Sequence, residues 1–314
     1  MAIKSLSSSS LTNNVFYRSL LAGNAKKLFR VAGYAAGGYL GARLTTIDKF
    51  AYPSDSRTTL GTGLNTASNT AAGMSNSGVA GYVAGGYGNS EIATVEKFAF
   101  PSDSRTILSS ELSSAKNAVS GFNNDRVAGY VAGGFDGSRF DTVDKFAFPS
   151  DSRTTLGTGL SIARLGVAGM SNSSVAGYAA GGQNGGLVTT VDKFAFPGDS
   201  RSTLGTGLSS ARRYLAGISN NGVAGYAAGG SSQSTVDKFA FPTDSRSVLG
   251  TGLSVARFGT AGFTDSGFAG YVAGGDTSGS TVDKFAFPTD SRSVLGAGLS
   301  SARNQPAGFQ NEEI

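Results

Sequence analysis

Two sets of carboxylates recur at constant spacing along this chain. The first is Asp48, Glu96, Asp144, Asp192, Asp237 and Asp283, each followed by lysine. The second is Asp55, Asp103, Asp151, Asp199, Asp244 and Asp290, each two residues before arginine. A basic set, Lys116, Arg164, Arg212, Arg257 and Arg303, keeps step with them, with Ser68 at its first position. Carboxylates do acid–base work where they converge on one cleft. Groups repeated once per unit are instead expected to be distributed round a ring and to pair within or between units. An anion site built from the basic set is the narrower alternative. The chain has no Cys, His or Trp, which removes disulfide frameworks, Cys/His metal sites and imidazole-based catalysis. Gly157-Thr158-Gly159 lacks the Lys-Ser/Thr of a phosphate loop, and Asp136-Gly137-Ser138 lacks the spacing of a calcium loop. Asn172-Ser173-Ser174 matches a glycosylation acceptor, which means little if the protein is made in bacteria. No catalytic, cofactor-binding or metal-binding residue is expected. A glycan-active enzyme using Asp136 and Asp141 is the remote alternative.

The elements that carry these groups are legible as repeats. The phrase Val-Ala-Gly-Tyr-Ala/Val-Ala-Gly-Gly starts at Val31, Val79, Val127, Val175 and Val223, and with Phe in front at Phe268, giving offsets of 48, 48, 48, 48 and 45. The units lie near 31–78, 79–126, 127–174, 175–222, 223–267 and 268–314. Each holds four candidate strands, in the third unit Val127 to Ala132, Thr142 to Phe148, Arg153 to Leu160, and a fourth near Val167 to Asn172. The second stops at Pro149, which has no amide for a ladder. Glycine is 47 of 314 residues but follows no every-third rule, and proline is only 7, so collagen and Pro/Gly-rich disorder are excluded. No segment keeps a helical period. No apolar run approaches the roughly 18 residues of a membrane span.

Four strands per unit, six units and apolar residues on both faces of the second candidate strand predict an all-β, six-bladed β-propeller of four-stranded blades. Small residues such as Ala128, Gly129, Ala132 and Gly133 suit crowding toward its axis. A fourth-strand phrase must precede every first strand, and the sixth copy, near Pro306 to Asn311, follows the last unit. It is therefore expected to return and close the ring beside Val31 to Ala36. Leu20 to Asn24 is a weaker rival for that place.

The Gly-Gly-ended strand, the Thr-Val-Asp-Lys-Phe strand, a third strand and then an arginine resemble kelch-type β-propellers over about 280 residues. Leu60, Leu108, Leu156, Leu204, Leu249 and Leu295 stand in the neighbourhood of the kelch tryptophan. The first 24 residues, Met-Ala-Ile-Lys-Ser-Leu through Leu-Leu-Ala-Gly-Asn, resemble the opening of virion proteins of tailed bacteriophages, especially those infecting cyanobacteria. That resemblance implies a virion-attachment segment.

Charge supports a division at residue 30. Lys4, Arg18, Lys26, Lys27 and Arg30 are five of the 26 basic residues, and residues 1–30 contain no acid. The remaining 21 basic residues match all 21 acidic ones, so the net charge of +5 belongs to the arm. A nucleic-acid-binding domain would carry its excess on the folded body, so no nucleic acid is expected as a partner. Leu11, Val15, Phe16, Tyr17, Leu20 and Leu21 would be wasted on a solubility tail. They are expected, with Arg18, Lys26 and Lys27, to attach residues 1–30 to another virion protein as an extended arm.

Comparison of the six units shows variation at two places: after Gly-Gly, and just before the last strand of each unit. In an up-and-down blade both connections emerge on one face. Their anchor-type residues are Tyr39, Arg43, Tyr87, Phe135, Arg139, Phe140, Gln183, Arg213, Tyr214 and Phe258. The sequence thus predicts a non-enzymatic tail, fibre, baseplate or neck protein of a virion, assembled in the host cytoplasm in multiple copies. Its loop face would bind a host-surface glycan or protein, without cofactor or membrane insertion. A free-standing protein-binding propeller is the alternative.

Overall fold

The structure, a computed structural model, describes residues 29–276 and 279–313. The attachment residues Leu11, Val15, Phe16, Tyr17, Arg18, Leu20, Leu21, Lys26 and Lys27 lie outside them. Six antiparallel four-stranded sheets form a β-propeller. From innermost to outermost strand, blade 2 is Ala72–Asn76, Ala80–Ala84, Val95–Ala99 and Ser104–Ile107. Blade 3 is Ser120–Asn124, Ala128–Ala132, Val143–Ala147 and Ser152–Thr155; blade 4 is Ala168–Asn172, Ala176–Ala180, Val191–Ala195 and Ser200–Thr203. Blade 5 is Ala216–Asn220, Ala224–Ala228, Val236–Ala240 and Ser245–Val248; blade 6 is Ala261–Asp265, Ala269–Ala273, Val282–Ala286 and Ser291–Val294. Blade 1 combines the two ends of the ring. Its innermost strand is Ala307–Glu313, followed outward by Phe29–Ala36, Ile47–Ala51 and Ser56–Thr59. The C-terminal strand thus closes the propeller.

The outermost strand is shorter than the expected Arg153 to Leu160: it spans Ser152–Thr155. After Leu156 donates its amide to Val143 O, the chain leaves the edge through Gly157-Thr158-Gly159. Leu160 then donates to Asp141 O and buries its side chain. The leucine thus turns inward to cover the blade, and the segment cannot continue as an exposed edge.

The core consists of six inter-blade layers. In blade 3, Phe146 and Phe148 pack toward blade 2, whereas Tyr130, Val143 and Leu160 pack toward blade 4. Stacked pairs join every interface at centroid distances of 5.2–5.6 Å: Tyr34–Phe100, Tyr82–Phe148, Tyr130–Phe196, Tyr178–Phe241, Tyr226–Phe287 and Tyr52–Tyr271. The small residues have two separate uses. Gly129 makes room for Met74 of the preceding blade, as Gly177 does for Phe122. Crowding at the axis falls instead on Gly73, Gly121, Gly169, Gly217, Gly262 and Gly308 of the innermost strands. A Cβ on any of them would overlap the backbone carbonyl of the corresponding glycine in the preceding blade.

So close an approach leaves innermost-strand amides facing neighbouring strands with which they form no ladder. Side-chain oxygens supply the missing acceptors. Ser75 N donates to Asn123 Oδ1, Asn123 N to Ser171 Oγ, Ser171 N to Ser219 Oγ and Ser219 N to Thr264 Oγ1, at 2.8–3.2 Å. This explains the repeated Ser/Asn/Thr after the central glycine.

Both carboxylate sets pair between units. Each second-set aspartate, such as Asp151, accepts a tyrosine hydroxyl and a lysine ammonium from the preceding blade, here Tyr82 at 2.8 Å and Lys97 at 2.6 Å. All six blades repeat this latch, with Asp55 held by Tyr271 and Lys284 across the closure. The first set meets the basic set in fully buried ion pairs: Lys116–Asp144, Arg164–Asp192, Arg212–Asp237, Arg257–Asp283 and Arg303–Asp48, at 2.6–3.2 Å. Burial alone would raise the Asp192 carboxyl, but Arg164 and the Ser161 and Thr203 donors hold it below the usual carboxylate range. The basic set is therefore neutralised inside the wall and is not displayed as an anion site. Where Ser68 replaces the basic residue, the facing carboxylate is Glu96; its longer side chain accepts the Asn65 amide at 2.7 Å, and burial raises its pKa.

Glu312 is a buried carboxyl of the closing strand. It is 9 % exposed and accepts the Ser266 amide at 2.8 Å. Burial, opposed by that bond and reinforced by Asp265 and Asp125, pushes its carboxyl from the ordinary 4.5 up to about 8. A raised carboxyl pKa contributes stability that is complete below the unfolded value and is lost as pH rises through the folded one. Stability should therefore fall between about pH 4.5 and 8, and Glu312→Gln should flatten the fall while keeping an acceptor for Ser266. Thermal melts across that range test this; equal slopes in both proteins would count against it.

Candidate functional site

The two variable connections of each blade meet on one face. Tyr39 bridges Asn304, Asn69 bridges Tyr87, Asn117 bridges Phe135, Leu165 bridges Gln183, and Gln233 bridges Arg257, all antiparallel. The residues just before the innermost strands form a collar at the axis. Thr70, Ala118, Gly166, Tyr214, Gly259 and Gln305 all have φ between 52° and 68°. Gln305 N donates to Gly259 O, Gly259 N to Tyr214 O, Tyr214 N to Gly166 O, Gly166 N to Ala118 O, and Thr70 N to Gln305 O. The axial opening inside this collar holds only about 90 Å³ and is lined mainly by glycine and alanine backbone.

A larger depression lies off the axis, over blades 4 to 6. It holds about 410 Å³ and is lined by Gln183, Leu187, Arg213, Tyr214, Ser231, Ser232 and Phe258. Four of the ten residues singled out in the sequence thus converge there. The Arg213 guanidinium lies 5.1 Å from the Tyr214 ring centre and donates to Gln183 Oε1. The Tyr214 and Phe258 rings are 6.2 Å apart and tilted by 38°. Burial raises the Tyr214 hydroxyl pKa, with Arg213 opposing.

The other six are placed elsewhere on the face. Arg43 stacks on Tyr87 at 4.4 Å, and Tyr39 is exposed beside them on the same sector. Phe135 and Arg139 bridge within the blade 3 loop. Phe140 has the same loop hydrogen bond as Leu44, Ile92 and Val188, and its ring lies 5.4 Å from the Lys116 ammonium. It occupies the repeat position of those three residues and does not line the depression. Asp136 caps Ser138 at 3.1 Å, and neither Asp136 nor Asp141 lines the depression. Ser231 and Ser232 were missed by reading residue types alone. The 45-residue offset of the fifth unit was the available signal, because it shortens the loop carrying them. Among the described residues, no group of three or more acidic, His or Cys side chains could hold a metal ion, and no helix is long and apolar enough to cross a membrane.

No protein-family model and no curated protein matches the chain. Among solved structures, 561 chains match. One is the structure of YjhT, at 14 % sequence identity and a TM-score of 0.66, with 83 % of this chain and 97 % of YjhT covered. At that identity the likeness shows the fold alone, and a fold hosts many functions.

Proposed function

We propose that the protein is a non-enzymatic recognition propeller of a tailed-phage particle, attached through residues 1–30 and presenting its variable loop face outward. The supporting observation is an asymmetry. Interface-type side chains gather over blades 4 to 6 on a scaffold that otherwise repeats six times. Recognition residues belong on variable loops held by a rigid frame. The virion assignment rests on the leader resemblance and on the confinement of the +5 charge to the arm. The repeats are read as kelch-like, with the six leucines from Leu60 to Leu295 filling space beside the blade cores.

Deletion of residues 1–28, which spares the blade 1 strand Phe29–Ala36, should eliminate the protein from purified particles without changing its thermal melting. Binding of the arm to its virion partner should weaken with salt through Arg18, Lys26 and Lys27, yet persist in part through Leu11, Phe16 and Leu20. Normal incorporation of the deleted chain would overturn attachment through the arm, whereas absence of the full-length protein from purified particles would favour the free-standing protein-binding propeller.

A further inference from the structure

Resting on the reading of the loop face as a recognition surface, we propose that the depression over blades 4 to 6 is a saccharide-binding site: a pyranose ring lies against Tyr214 and Phe258 while Arg213 and Gln183 bind its oxygens. The site exists because the wall is low there. The connection between second and third strands has ten residues in blades 1 to 4, seven in blade 5 and eight in blade 6. The shortened loops leave the half-buried Tyr214 and Phe258 lining an open groove.

Its chemistry is two-sided, as a sugar's is. A pyranose presents an apolar C–H face and an equatorial belt of hydroxyls. Tyr214 and Phe258, tilted by 38°, form two walls for the first. Arg213, Gln183, Ser231 and Ser232 supply donors and acceptors for the second. Among the described residues lining the groove Arg213 alone is formally charged, and the Asp276 carboxylate stands behind Ser232 and Phe258, so neutral sugars, or anionic ones whose carboxylate meets Arg213, fit it best.

The walls are held in place before any ligand arrives. The Arg213 amide donates to Ser231 Oγ at 3.1 Å, and the Phe258 amide donates to Asp276 Oδ1 at 2.9 Å. Gln233 N closes a turn onto Gly230 O at 3.0 Å, with Ser231 and Ser232 at φ 47° and 55°. Two consecutive left-handed serines make a tight turn that puts both residues in the groove lining. The size also suits a small ligand: about 410 Å³ falls in the range of small-ligand clefts, roughly 300–1,000 Å³.

The test is binding of the full chain to an array of bacterial-surface oligosaccharides containing neutral sugars, uronic acids and amino sugars. Phe258→Ala, Arg213→Ala and the outer-strand control Ile107→Ala are compared, each checked by thermal melting. We expect binding to a neutral or uronate oligosaccharide, weakened about tenfold or more in either groove variant and unchanged in the control. Absence of binding across the array, or binding untouched by both groove substitutions, overturns the site. If the purified full chain binds host cells after periodate oxidation of surface sugars but not after proteolysis, the face recognises protein and the saccharide site falls alone. If the full-length protein is absent from purified particles, the virion reading falls while saccharide binding by the free chain is unaffected.

Discussion

Removing residues 304–314 is expected to abolish the cooperative melting of the propeller, or to lower its midpoint by more than about 15 °C. The segment is the innermost strand of blade 1, so its loss opens both sides of the ring. Phe309 is buried, packs over Gly81, and stacks with Tyr34 at 4.6 Å and Phe98 at 5.9 Å. Burial of such a side chain is worth about 1.5–3 kcal/mol, before the exposed strand edge and lost contacts of blades 2 and 6 are counted. Gln310 N also donates to Ser75 Oγ at 2.9 Å, and Ser266 would lose Glu312 as an acceptor. An open solenoid would fray at one end and keep the rest. A closed ring has no such end, so its blades should fail together. Calorimetry of the truncated chain decides this; a transition like that of the full chain would contradict closure.

Gly217→Ala is expected to destabilise the fold by about 3 kcal/mol or more, whereas Gly157→Ala should change it by less than about 1 kcal/mol. At Gly217 the added methyl would overlap the carbonyl oxygen of Gly169, which belongs to the backbone of the next innermost strand and cannot swing aside. At Gly157 nothing lies within 4 Å of the same atom. Both glycines are free of a left-handed φ, so the contrast isolates packing from backbone preference. Denaturant unfolding of the two variants measures it. Equal stabilities would show that the innermost strands can spread without cost.

The repeat made much of this fold readable in one dimension. The spacing of Val31, Val79 and their successors counted the blades, and the displaced phrase around Ala307-Gly308 identified the closing strand. Alternation along Val143 to Phe148 placed apolar groups on both faces, which only a blade between blades can bury. The variable loops could be assigned to one face because strand direction alternates. Residue types there identified Gln183, Arg213, Tyr214 and Phe258, but could not distinguish them from Phe140.

That distinction is spatial. Gln183, Arg213 and Phe258 share a groove only because neighbouring blades are rotated round one axis, and Ser231 and Ser232 join it because their loop is short. Partner choice is likewise a property of the assembled ring. Lys97 and Tyr82 meet Asp151 more than fifty residues away, and Arg303 meets Asp48 across the closure. Sequence alone determined that the charges repeat and must be paired. The tertiary structure decided which blade supplies each partner, because that depends on how closely the central glycines let six strands approach.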